Sequence, residues 1–126
     1  MTKQNFNSIL LMVLLLAVLG IYKNLSAQTD NTALRNAVEK GAFLVDVRTP
    51  AEFADGSVEG AVNIPLNTIP QQLAAFADKE NIVVFCRSGN RSGQAKLILE
   101  QNGFTQVVNG GTWQNVQGVV QAMKKP

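Results

Sequence analysis

Residues 81–103 read NIVVFCRSGNRSGQAKLILEQNG, and three kinds of local chemistry follow one another along them. Asn81 to Phe85 is a short β-branched and aromatic run, the strongest strand signal in the chain. It leads straight into Cys86, and the Arg87-Ser88-Gly89-Asn90-Arg91 run that follows is too polar to be core. From Ser92 to Gln101 the residues Ala95, Ile98 and Leu99 recur at helical spacing, and Gly103 is a helix stop. Strand, tight loop and helix in that order form the repeating unit of an α/β sheet.

Working outward, Phe43 to Val47 (FLVDV), Ala61 to Ile64 and Thr105 to Val108 are the other strand candidates. Helical pattern separates them. Thr29 or Asp30 can cap a first helix with Leu34, Ala37 and Val38 on one face and Gly41 as its stop. Thr49-Pro50-Ala51-Glu52 reads as a capping box with proline at the first helical position, so a short helix starts there and ends at Asp55-Gly56. Pro70 is expected to open a helix with Leu73, Ala74, Phe76 and Ala77 on its apolar face. Gly110-Gly111 is expected to break the chain before a last helix over 112–123, interrupted at Gly118. The alternation predicts a mostly parallel sheet covered on both faces. In such sheets functional groups gather beyond the carboxyl ends of the strands, which is where Cys86, Asp46 and Asn109 fall.

The first 27 residues have a different character. A polar start with Lys3 precedes Ile9 to Ile21 (ILLMVLLLAVLGI), an unbroken apolar run ending at Tyr22-Lys23, with small residues at Ser26-Ala27. That is the layout of a secretory signal, and the run is shorter than the roughly twenty residues of a membrane span. Cleavage after Ala27 is the first expectation. An uncleaved anchor stays open, because Leu25 occupies a position before the cut where a small residue is preferred. There is no cysteine near the cut to carry a lipid. The expected organisation is thus a signal over 1–27 and one domain over 28–126, in an exported and periplasmic protein. Loss of Lys3 and Lys23 leaves nine basic residues against nine acidic ones. No polybasic run remains to attract nucleic acid or an acidic membrane surface.

A chain of 126 residues supports one core and one active site. It contains no histidine, which removes Ser-His and Cys-His hydrolysis and histidine phosphotransfer. With a single cysteine it can form no internal disulfide, CxxC redox pair or multi-thiolate cluster. Cys86 is either inert core or a solitary reactive thiol. A free thiol titrates near pH 8.5, leaving about three per cent thiolate at pH 7. With no imidazole to act as base, activation has to be electrostatic: loop N–H groups converging on sulfur, with the positive end of the next helix behind them. Arg87 and Arg91 add charge suited to an anionic donor.

Several segments carry a family resemblance. Leu44-Val45-Asp46-Val47-Arg48 with Glu52, Gly60-Ala61-Val62-Asn63-Ile64-Pro65, Cys86-Arg87-Ser88-Gly89-Asn90-Arg91-Ser92, and Gly110-Gly111 with Trp113 stand in the order of the single-domain rhodaneses. Within that family the chain resembles the exported phage-shock protein E type. The resemblance implies a five-stranded parallel sheet flanked by helices on both faces. It implies a thiosulfate sulfurtransferase with Cys86 as nucleophile and Arg87, Ser88, Gly89, Asn90 and Arg91 as the substrate-binding loop. The sulfur would pass through a persulfide to cyanide or a thiol acceptor, with no metal or organic cofactor. Asp46, Arg48 and Ser92 are read as supporting residues: a carboxylate that pins a neighbouring loop, and with Glu52 an ion pair that ties down the short helix. Trp113 is read as core. Many relatives carry Gly-His where this chain has Gly56-Ser57, a position taken as structural whose change bears on packing or local pKa.

Two other functions stay open. A cysteine phosphatase or arsenate reductase needs Cys-x5-Arg, whereas the sixth residue after Cys86 is Ser92 and Arg91 comes one position early. A carrier or redox module would hold sulfur without turnover and use the same residues.

Overall fold

The central strand is buried at every position. Ile82 to Cys86 forms β3, and the alternation of its side chains divides the core in two. Ile82, Val84 and Cys86 pack with Val45, Val47, Ile64, Ile69, Phe76, Ala95 and Leu99, while Val83 and Phe85 pack with Leu34, Ala37, Val58, Val116, Val119 and Val120. A strand covered on both faces reads as a continuous apolar run, and IVVFC meets that demand.

The computed structural model describes residues 3–27 and 31–125, and the chain divides into two units at Asp30/Asn31. In the first, α1 (Lys3–Ala27) is one helix that carries the apolar run, with exposed side chains from Phe6 to Leu19. Among the described residues no helix is long and apolar enough to cross a membrane.

The second unit holds α2 (Thr32–Glu39), β1 (Phe43–Asp46), α3 (Pro50–Ala54), β2 (Val62–Asn63), β3, α4 (Asn90–Gln101), β4 (Val107–Thr112) and α5 (Trp113–Lys124). The strands pair in parallel in the order β2-β1-β3-β4. Core contacts place α4 on one face and α2 with α5 on the other. Four strands are described where the family resemblance implied five. The difference has a plain origin in the residues: only four β-rich runs exist, and from Asn31 the domain goes directly into α2.

Some local expectations need correction. No α-helix starts at Pro70. Two 3-10 turns, Leu66–Gln71 and Leu73–Phe76, cover this stretch with Pro70 inside the first, and they are broken at Gln72 (φ −121°). The segment is anchored by buried Ile69 and Phe76, while Ala74 and Ala77, expected on the apolar face, are exposed. Phe76 meets Phe43 and Phe104 edge-on, with centroids 5.7 and 6.0 Å away. The capping box at Thr49 and Glu52 forms as read. The Thr29 or Asp30 cap falls outside the described residues, and the residue preceding α2 is Asn31. Helix α5 runs through Gly118 without a break.

Gly110-Gly111 does not break the chain either, because β4 continues through both to Thr112. Its register against β3 shifts between Val84 and Cys86. Gly110 is needed for closeness: a β-carbon there would lie 2.5 Å from Val116 Cγ2 and 3.1 Å from Val83 Cγ1. Neither branched side chain can withdraw from a filled core. Gly110→Ala is expected to cost about 1–3 kcal/mol by overpacking, read as a lower thermal midpoint. A midpoint equal to the parent's would show that α5 can step back freely.

Candidate active site

Cys86 is the last residue of β3, so its side chain stands at the carboxyl edge of the sheet on the face that α4 covers. The chain must turn at once from strand to helix. Gly89 makes the turn at φ +93°, a left-handed conformation open to glycine at little cost. Its N–H donates to Cys86 Sγ at 3.0 Å. Helix α4 begins at Asn90, two residues before the sequence reading placed it, so the turn is tighter than expected and Asn90 and Arg91 are the first helical residues. In the first turn of α4, Ser92 brings its hydroxyl to 3.4 Å from Sγ.

Cys86 is wholly buried. Burial pushes the thiol up, but the Ser92 hydroxyl and the backbone N–H groups of Ser92, Ser88 and Gly89 outweigh it, and the thiol ionises below its ordinary value. Of the loop N–H groups expected to converge on the sulfur, that of Gly89 makes the 3.0 Å hydrogen bond, and the Ser92 hydroxyl stands beside it. Among the described residues no group of three His, Cys, Asp or Glu side chains could hold a metal ion.

The two loop arginines separate. Arg87 is exposed beside the loop and makes no ion pair among the described residues. Arg91 turns to α3, where its two terminal nitrogens meet the two Glu52 oxygens at 2.7 and 3.0 Å. The sequence reading gave Glu52 to the Asp46–Arg48 group and left Arg91 facing the site. A planar guanidinium matched to a carboxylate fork makes the observed pair the stronger arrangement. Together with the Thr49 N–H, it holds the Glu52 carboxyl down at about 2. A carboxylate depressed in the folded state stabilises above its unfolded value, near 4.5, and loses that contribution as pH falls toward 2. The stability difference between parent and Glu52→Gln should thus be constant above pH 5 and vanish by about pH 2. A difference that does not change with pH would remove the ion pair as its cause.

Beneath the loop, Asp46 and Arg48 are both buried. Asp46 accepts from the Arg48 backbone N–H, from its Nε and Nη2, and from Ser57 Oγ at 2.7 Å. Arg48 also donates to the Gly56 carbonyl and lies 5.4 Å from the centre of the half-buried Trp113 ring. Ser57 supplies its hydrogen bond from a group that does not titrate.

The sequence reading placed Asn109 near a strand end and gave it no role. The structure sets its amide between Ser92 and Gly89, with Oδ1 accepting from Ser92 Oγ at 2.7 Å and Nδ2 donating to the Gly89 carbonyl at 3.0 Å. The available signal was a polar residue at the carboxyl end of a parallel strand, immediately before two glycines.

Residues 30–114 match the family model described as Rhodanese-like domain, and that stretch holds β1 to β4 and the Cys86 loop. The chain belongs to the rhodanese-like family. A relative from Allochromatium vinosum, named Sulfurtransferase, is 37% identical over 81 residues, covering 64% of this chain and 76% of its own. The protein named Thiosulfate sulfurtransferase PspE of Escherichia coli is 45% identical over 69 residues, 53% of this chain and 66% of that one. Among solved structures, a rhodanese with anions from E. coli superposes with a TM-score of 0.55 at 37% identity, over 59% of this chain and 89% of that chain. The human single-domain sulfurtransferase TSTD1 does so with a TM-score of 0.54 at 29% identity, over 74% and 92%. The rhodanese fold and its α/β topology thus agree between sequence and structure.

Proposed function

We propose that this protein is an exported thiosulfate sulfurtransferase that carries sulfur on Cys86. The observation that carries the reading is the placement of the only cysteine in a cradle of N–H groups and one hydroxyl that favours its thiolate, in a chain with no imidazole to serve as base. Sulfurtransferases among its relatives support it. The thiolate attacks the outer sulfur of thiosulfate, a new S–S bond forms, and the old one breaks with its electron pair leaving on sulfite. Arg87, the exposed cation of the loop, attracts the doubly charged donor. The same N–H groups then solvate the persulfide anion. A thiol or cyanide attacks the outer sulfur, and the electron pair returns to Cys86 Sγ. Because Cys86 is wholly buried, the 87–89 turn has to give way as the donor arrives.

The Glu52 clamp on Arg91 weighs against oxyanion hydrolysis, which needs an arginine aimed into the loop. For export, the support is the polar-apolar-small pattern of residues 1–27, with the family match beginning only at residue 30. The signal then ends at Ala27, the domain spans 28–126, and a periplasmic thiol is the acceptor.

The test is thiosulfate-to-cyanide transfer by the full chain and by the segment from Gln28, with intact mass measured after thiosulfate alone. Gain of one sulfur atom with steady thiocyanate production supports the enzyme. One loading without turnover leaves a carrier, and no sulfur gained sinks the reading.

A further inference from the structure

Cys86 shares its hydroxyl partner with a residue on the neighbouring strand. Ser92 Oγ lies 3.4 Å from Cys86 Sγ and 2.7 Å from Asn109 Oδ1. A serine hydroxyl has one proton to give. Asn109 Oδ1 can only accept, and its neighbours settle which way the amide lies. The Gly111 N–H donates to the same oxygen at 3.0 Å, and Nδ2 donates to the Gly89 carbonyl at 3.0 Å. The opposite orientation would set N–H against N–H and oxygen against oxygen. The Ser92 proton therefore goes to Asn109, and Ser92 turns a lone pair toward the sulfur. That suits a thiol, whose S–H then donates to Ser92 Oγ. A thiolate needs donors instead.

We propose that Asn109 is a positioning residue that sets the ionisation of Cys86 through Ser92, by holding the hydroxyl proton that must swing from Asn109 Oδ1 to Sγ when the sulfur becomes an anion. The same amide ties down the carbonyl of Gly89, whose N–H is the 3.0 Å donor to sulfur. Asn109 thus keeps one donor in place and competes for the other. This deepens the sulfur-transfer reading and rests on it for its place in the cycle. When an acceptor takes the outer sulfur, the electron pair of the broken S–S bond stays on Cys86 Sγ, and the swing of the Ser92 proton meets that charge as it forms. When Sγ takes up a proton from solvent, the Ser92 proton returns to Asn109 Oδ1.

The charged groups on elements around Cys86 are Arg87 in its own loop, Arg91 on α4 with Glu52 on α3, and Asp46 with Arg48 at the end of β1, with Lys96 and Glu100 farther along α4. β4 contributes none, and α5 none before Lys124. None of these groups hydrogen-bonds to Sγ among the described residues, so they form a background that variants at Asn109 and Ser92 leave in place.

The experiment is a double-mutant cycle on the full chain with Asn109→Ala, Ser92→Ala and both together. Iodoacetamide alkylation of Cys86 is followed against pH, and the single cysteine makes the label unambiguous. With Ser92 present, Asn109→Ala frees the hydroxyl for sulfur. It should displace the ionisation midpoint at least about half a pH unit further downward than the same change does in the Ser92→Ala background, about threefold in thiolate ratio. Equal displacement in the two backgrounds overturns the proposal and leaves Asn109 as a tether for Gly89. If Asn109→Ala does not fold, Asn109→Ser, too short to reach Ser92, runs the same cycle. Alkylation needs no sulfur donor, so a chain that shows the coupling but takes no sulfur from thiosulfate would fail the function and not the coupling.

Discussion

Cys86→Ser should fall to the uncatalysed background in thiosulfate-to-cyanide transfer, a loss of at least about a thousandfold, and should gain no sulfur on incubation with thiosulfate. The step depends on a soft anion that forms and releases an S–S bond. A serine hydroxyl in the same cradle stays protonated, because donors that shift a thiol by a few pH units leave an alcohol far from ionised at neutral pH. No histidine stands ready to take its proton, and no second cysteine can substitute. The folded structure should survive, since serine is close in size and Ser92 Oγ can pair with its hydroxyl, and a thermal melt checks this. A serine variant that still gains one sulfur atom would place the acceptor atom elsewhere and refute the reading of the loop.

Asp46→Ala should be the most damaging single change to stability. The carboxylate is fully buried and accepts three Arg48 donors as well as Ser57 Oγ, all at 2.7–3.0 Å. Truncation leaves the Arg48 guanidinium, itself 6% exposed, with the Gly56 carbonyl and the Trp113 ring as its described partners. An uncompensated buried charge costs about 3–5 kcal/mol. In a domain of this size that lowers the thermal midpoint by roughly 15 °C or more. The loss should extend to activity, because the released segment at Gly56-Ser57 lies against the strand that flanks β3. The exposed pair Glu59–Lys124 offers the contrast. Both side chains are well solvated, and Glu59→Ala should leave the midpoint unmoved. If Asp46→Ala melts with the parent, water has reached Arg48 and the pair is not the anchor described.

Much of the fold was legible in single stretches of chain. The unbroken apolar run from Ile82 to Phe85 announces a strand, Thr49-Pro50-Ala51-Glu52 announces a helix start, and Gly103 announces a stop. Each signal depends on residues within a few positions, and so survives without knowledge of the fold. Where the reading failed, the deciding partner lay farther away. Pro70 would open a helix on local evidence, but the stretch folds as two short 3-10 turns that bury Ile69 and Phe76 in the core. Gly110-Gly111 looks like a break, yet pairing with β3 draws both residues into a strand, and Val116 requires the first of them to have no side chain.

The sequence by itself determined the α/β class, the position of Cys86 at a strand end ahead of a helix, and the need for activation without an imidazole. Tertiary structure alone decided which groups surround that sulfur. Glu52 and Arg91 are 39 positions apart, and Ser92 and Asn109 are 17 apart. Such pairs leave no local pattern, because they arise only when parallel strands bring the ends of β1, β3 and β4 to one edge of the sheet. There a backbone turn can be closed by side chains from other elements, and the hydroxyl beside the thiol acquires the partner that directs its proton.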